Sequence, residues 1–111
     1  MELHETEFAL AVVLAAGGRL DTTGSHELEL RLRNLVAAGR TRIVLDLERV
    51  GYIGSAGLRV LVVAGQLLGQ HAGHMVLAGL SAENRRLFDL AGFTDLFVIA
   101  ADRAQAVAEF K

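Results

Sequence analysis

Apolar positions along this chain fall into two spacings: short unbroken runs, and longer stretches in which they recur every three or four residues. The run at 8–16 predicts a first strand despite its alanines. Gly17-Gly18 and Asp21-Thr22-Thr23-Gly24 then predict a turn into a helix over 25–38. On that helix Leu28, Leu32, Leu35 and Val36 share one face, while Glu27/Arg31 and Glu29/Arg33 stand at the favourable i,i+4 spacing on the other. Gly39 supplies its stop.

The run at 42–47 predicts a short strand buried in the centre of a sheet. A tight turn bracketed by Gly51 and Gly54 follows, and then a second helix over 55–70. Its stripe is Leu58, Leu61, Val62, Gly65 and Leu68, with Gly65 and Gly69 allowing close packing against the sheet. A strand over 74–78 comes next. Ser81 then caps a third helix that ends at Ala91 before Gly92. Phe97-Val98-Ile99 reads as the last strand, and Asp102 as the cap of a closing helix that turns Ala104, Val107 and Ala108 inward. Strands alternating with helices imply one α/β domain over 1–111, with a central, largely parallel sheet.

Composition narrows the function classes. The chain has 111 residues, 52% of them hydrophobic and 22% charged, with a net charge of −2, which describes a folded globular protein. A near-neutral balance gives no basic face for nucleic acid. With no cysteine, disulfides and thiolate metal sites are excluded, in keeping with a reducing cytoplasm. Residues 60–82 carry no charged side chain and match a membrane span in length. Gln66, Gln70, His71 and His74 within that stretch, and Gly69 and Gly73 punctuating it, fit a helix, a turn and a strand better. The acidic start Met1-Glu2-Leu3-His4-Glu5 is unlike a signal peptide. A soluble cytoplasmic protein with no membrane partner is the expectation.

Ser55 is the side chain with the most chemistry to offer. At the start of the second helix it adjoins unpaired backbone N–H groups and the positive end of the helix dipole, a place that tolerates an anion or a phosphate on the hydroxyl. It also suits a plain N-cap, worth about 1 kcal/mol, and on the residues alone the cap prevails. Ile53-Gly54-Ser55-Ala56-Gly57 is close to a nucleophile elbow, but Ile53 occupies its first glycine position. His71 and His74 follow without an acid partner, so hydrolysis is not expected. Those histidines are weak metal candidates without cysteines or neighbouring carboxylates. Gly51, Gly54 and Gly57 lack the Gly-Lys-Ser/Thr of a P-loop and are expected to serve positive φ and tight turning. Asp21 either caps the first helix or contributes to a contact surface, and Arg59 is expected to be exposed nearby.

The run Ile53-Gly54-Ser55-Ala56-Gly57-Leu58 resembles the phosphorylation-site segment of the bacterial anti-sigma-factor antagonists, small proteins built of one STAS domain. Gly18-Arg19-Leu20-Asp21, Ala78-Gly79-Leu80-Ser81 and Arg86-Leu87-Phe88-Asp89 with Ala91-Gly92-Phe93 match the family in order, so the resemblance covers residues 8–110. Gly54 departs from it, standing where the best-known members carry Asp.

The resemblance implies a mixed, largely parallel sheet with about four helices packed mainly on one face, and a non-enzymatic partner switch without cofactor or metal. The unmodified protein would bind an anti-sigma factor that is also a serine kinase of the histidine-kinase-like ATPase type, and so free a sigma factor. Phosphorylation of Ser55 would end that binding and a phosphoserine phosphatase would restore it. The partner surface it implies comprises Asp21, Gly54, Ser55, Ala56, Gly57 and Arg59. Two other roles stay open: a fixed scaffold subunit, for instance on a lipid-transport ATPase, and a small-ligand or nucleotide sensor.

Overall fold

The computed structural model describes residues 1–8 and 10–110. Strands β1 (Glu2–Phe8), β2 (Ala11–Leu20), β3 (Arg42–Ile53), β4 (His74–Ala78) and β5 (Val98–Ala100) form one sheet in the order β1-β2-β3-β4-β5. The β1–β2 pair is antiparallel and the remaining pairs are parallel. Helices α1 (Thr22–Ala37), α2 (Ser55–Gln70) and α3 (Ala82–Ala91) cover one face. The short α4 (Arg103–Ala108) covers part of the other. The α/β sheet is therefore as the alternation of patterns implies, and its mixed pairing and helices mainly on one side are as the resemblance implies.

Both faces of the sheet are apolar, unequally so. On the three-helix side Leu14, Ile43, Leu45 and Leu77 meet Leu28, Leu32, Leu61 and Phe88, all essentially fully buried. On the other side Val13, Val44, Val76 and Ala78 meet Ala106 of α4. Asp46 points to this second side. Its Oδ2 accepts from Arg103 Nε and Nη2 at 3.1 and 2.9 Å, and its Oδ1 accepts from the Glu48 N–H at 3.0 Å. A charge in the central strand thus ties down the one helix that the described residues place on that face.

Several expected boundaries move. The strand expected at 8–16 is two strands of a hairpin, and β2 runs on through Gly17 and Gly18 to Leu20; Ala9 lies outside the described residues. β1 escapes the apolar pattern because it is an edge strand whose residues are largely exposed. Arg31 does not pair with Glu27 but crosses to Glu5 of β1 at 3.1 Å, and Arg40 reaches Glu7. Glu29–Arg33 forms as expected at 3.0 Å.

The strand expected at 42–47 continues to Ile53, so the turn expected after Leu47 is absent. Two register shifts against β2 explain this: β2 advances two residues while β3 advances three, from Asp46 to Arg49, and Gly51 is skipped between Val50 and Tyr52. Each extra residue reverses the alternation. Leu47, Val50 and Ile53 consequently all face the core at a spacing of three.

The α2 stripe is also displaced, with Val60, Leu61, Ala64 and Leu68 buried and Gly65 only half-buried. A Cβ at Gly65 would make only ordinary contact with Phe97, and one at Gly69 would meet nothing, so neither glycine serves close packing. The last strand starts at Val98 after a 3-10 turn at Thr94–Leu96. On α4, Ala106 is buried while Ala104 and Ala108 are exposed, correcting the expected inward set. Among the described residues no helix is long and apolar enough to cross a membrane.

Candidate functional site at the start of α2

The carboxyl ends of β2 and β3 lie side by side, and a helix leaves each of them. Gly54 N–H donates to Leu20 O at 3.0 Å, joining the two exits, and the Gly54 carbonyl accepts the first α2 bond from Leu58 N at 3.0 Å. Parallel sheets place their ligand and partner sites at such ends, where loops are free of the ladder. Buried Asn84 of α3 holds the approach by donating from Nδ2 to Val50 O at 3.1 Å.

Ser55 is not the N-cap. Gly54 holds that position, with φ −90° and ψ −176°, and offers no side chain to the first-turn N–H groups. Ser55 is the first helical residue, exposed, and among the described residues its hydroxyl makes no hydrogen bond. An exposed hydroxyl thus sits at an uncapped helix start. The cap reading of Ser55 fails on geometry.

Asp21 does cap. Its Oδ1 accepts from the Gly24 N–H at 2.9 Å at the head of α1, and its Oδ2 stays half-exposed at 3.9 Å from Arg19 Nε. Arg59 is exposed and has no ion pair among the described residues. Ala56 is half-buried. Gly57 is buried, and a Cβ there would lie 2.8 Å from Leu20 Cβ and 3.0 Å from Leu20 O. Gly57 therefore lets α2 approach β2 and is no part of a contact surface. None of Gly51, Gly54 and Gly57 takes the expected positive φ; the left-handed glycines are 18, 39, 79 and 92. The sharp exit from β3 is made by extended backbone and a register shift.

Two side chains at the site carry no signal in the sequence. Arg19 pairs in register with Tyr52, and its guanidinium carbon lies 4.2 Å from the ring centroid. The Tyr52 ring edge lies over Gly54, so that a Cβ on Gly54 would be 2.8 Å from Tyr52 Oη. Arg19 stands inside the Gly-x-Leu-Asp segment, but its partner follows only from the shifted strand register.

The chemistry of an acyl-transfer triad is not assembled. His71 closes the far end of α2, about 24 Å from Ser55 along 16 residues at 1.5 Å each. Its Nδ1 is 3.0 Å from Leu67 O, and exposed His74 opens β4 at the same far end. Among the described residues no three metal-ligating side chains come together.

Comparison with known proteins agrees with this architecture. The family model described as STAS domain matches residues 2–106. BtrV of Bordetella bronchiseptica, whose name places it with anti-sigma factor antagonists, is 39% identical over 94 residues, covering 85% of this chain and 81% of its own. The crystal structure of an anti-sigma factor antagonist from Mycobacterium paratuberculosis superposes with a TM-score of 0.88 at 23% identity, over 98% of this chain and 92% of its own. The Bacillus cell fate determinant SpoIIAA in its phosphorylated form superposes with a TM-score of 0.75 at 20% identity, over 99% and 100%.

Proposed function

The chain belongs to the STAS domain family, and from that premise we propose that it is an anti-sigma-factor antagonist controlled by phosphorylation of Ser55. The observation that carries this reading is the exposed Ser55 hydroxyl at the uncapped first position of α2. It is supported by the naming of BtrV among anti-sigma factor antagonists and by a fold shared with a phosphorylated SpoIIAA.

Unmodified, the surface around Ser55, with Asp21, Ala56 and Arg59, docks on an anti-sigma factor and displaces the sigma factor. The docked partner is a serine kinase with a bound ATP. Ser55 Oγ attacks the γ-phosphorus, the bond to the β–γ bridging oxygen breaks and ADP leaves. The hydroxyl proton passes to a base on the kinase. The new group adds about −1.5 to −2 charges to the interface. The helix start accommodates that charge, but a partner surface that must bury it does not, and binding is lost. A phosphatase hydrolyses the ester and restores the hydroxyl. The surface is a substrate and a docking face, and the domain needs no cofactor of its own for this.

The test pairs two variants with one mapping experiment. Ser55→Ala should bind the anti-sigma kinase constitutively and take up no phosphate. Ser55→Glu should fold normally and bind at least tenfold more weakly. Mass spectrometry after incubation with kinase and ATP should place the label on Ser55. Label elsewhere, or equal affinities for the two variants, would overturn the switch in favour of a fixed scaffold role.

A further inference from the structure

The geometry points to Arg19 as the cation that receives the phosphate on Ser55, leaving its seat on the Tyr52 ring to do so. The inference rests on Ser55 being the modified residue and adds what the modified group would hold on to. Arg19 is parked close by. Its guanidinium lies over the Tyr52 ring, the edge of that ring lies over Gly54, and Gly54 is joined to Ser55 by one peptide bond. The seat exists because position 54 has no side chain, since a Cβ there would push the phenol aside. The departure of Gly54 from the family pattern and the placing of Arg19 are therefore one feature.

Arg19 is also scarcely engaged. Its side chain is 65% exposed, and its one ionic neighbour among the described residues is Asp21 Oδ2 at 3.9 Å, beyond hydrogen-bond distance. The other Asp21 oxygen is occupied by the cap on Gly24. An exposed cation over an aromatic face gains little, whereas a planar guanidinium against a dianionic phosphate gains two charge-assisted bonds. The uncapped N–H groups of α2 favour the same charge from the other side. Arg59, a full turn further along α2, has no ring to orient it toward the helix start.

The transfer from ring to phosphate changes the surface twice. It places the phosphate in an intramolecular pair, and it strips Tyr52 of its cation and bares the ring face. A partner shaped to the unmodified site then meets a different arrangement of three side chains.

Phosphoserine installed at position 55 by genetic encoding tests this without any kinase, so a failure of the kinase reading leaves the test intact. The readout is the second ionisation of the phosphate, followed by phosphorus NMR between pH 4 and 8. A nearby cation favours the dianion, so the midpoint should fall below the value of about 6 usual for a phosphoserine. Arg19→Ala should raise it by roughly half a unit or more, and Arg19→Lys should recover part of the difference. Arg59→Ala should leave it in place. The Tyr52 ring protons should shift on phosphorylation of the wild-type protein as they do on Arg19→Ala in the unphosphorylated one. Equal midpoints for wild type and Arg19→Ala, or a midpoint that responds to Arg59→Ala instead, would overturn the inference.

Discussion

Replacing Arg103 by methionine strands a carboxylate inside the sheet, and the response should depend on whether that carboxylate keeps its charge. The Asp46 side chain is 8% exposed, and Arg103 supplies both hydrogen bonds to its Oδ2 from a side chain that is 41% exposed. Methionine keeps most of the apolar stem, so the packing of α4 on Val13, Val44 and Val76 persists while the charge contact goes. Breaking a fully buried pair costs about 3–5 kcal/mol. Here water can reach the vacated side, and Asp46 Oδ1 keeps its bond from Glu48 N–H, so about 2–3 kcal/mol is expected, the range of a lost charge-assisted bond. For a domain of this size that lowers Tm by about 10 °C.

Asp46→Asn alone should cost about 1–2 kcal/mol, because the amide oxygen can still accept from Glu48 N–H while the guanidinium loses its counter-charge. The decisive species is the double variant. Adding Asp46→Asn to Arg103→Met removes the stranded charge and should recover about 1 kcal/mol, so the second mutation stabilises the first. Urea unfolding followed by far-ultraviolet circular dichroism measures all four proteins on one scale. If Asp46→Asn destabilises the Arg103→Met protein as much as it does the wild type, the pair is uncoupled. In that event α4 is held by its apolar contacts alone.

Two further outcomes follow from packing. Gly57→Ala places a Cβ 2.8 Å from Leu20 Cβ and 3.0 Å from a backbone oxygen, so it should cost about 1–3 kcal/mol by urea unfolding despite the better helix propensity of alanine. A neutral result would mean that α2 is free to slide on β2. Ser25 Oγ is buried with no partner among the described residues, so Ser25→Ala should leave Tm unchanged or raise it by a few degrees; a clear loss of stability would show that the hydroxyl has a partner in solution.

How much of this was legible in the sequence divides along a physical line. The bounds of α2 and β4 follow from local signals, as do the Ser81, Gly92 and Asp102 termini, because caps, left-handed stops and apolar periodicity act within a few residues. The family resemblance located Ser55 on the same local grounds. What escaped depends on partners distant in sequence. β1 carries no apolar pattern of its own, and Glu5 finds its partner Arg31 only on α1. The second half of β3 breaks the period of two because its register shifts are set by β2, so the strand reads as ending at Leu47, and Val50 and Ile53 fall outside it when read alone. The Arg19–Tyr52 stack is a product of those shifts, as is the contact of Tyr52 with Gly54. A lone Asp in an apolar run gives no hint of a latch whose other half lies 57 residues away.

Among the described residues β1 has one side of its backbone facing no other strand, and such an edge is where a second molecule can extend a sheet. Nature's usual deterrent is charge, and three of the seven residues in this strand are glutamates. Glu5 and Glu7 also fasten the strand inward through Arg31 and Arg40. The same carboxylates thus do opposite things on two sides, drawing β1 onto its own molecule and repelling an identical edge that drifts alongside. The flank of the sheet is in this way kept from acquiring an unwanted neighbour, and the end of the sheet at Ser55 stays the more open face.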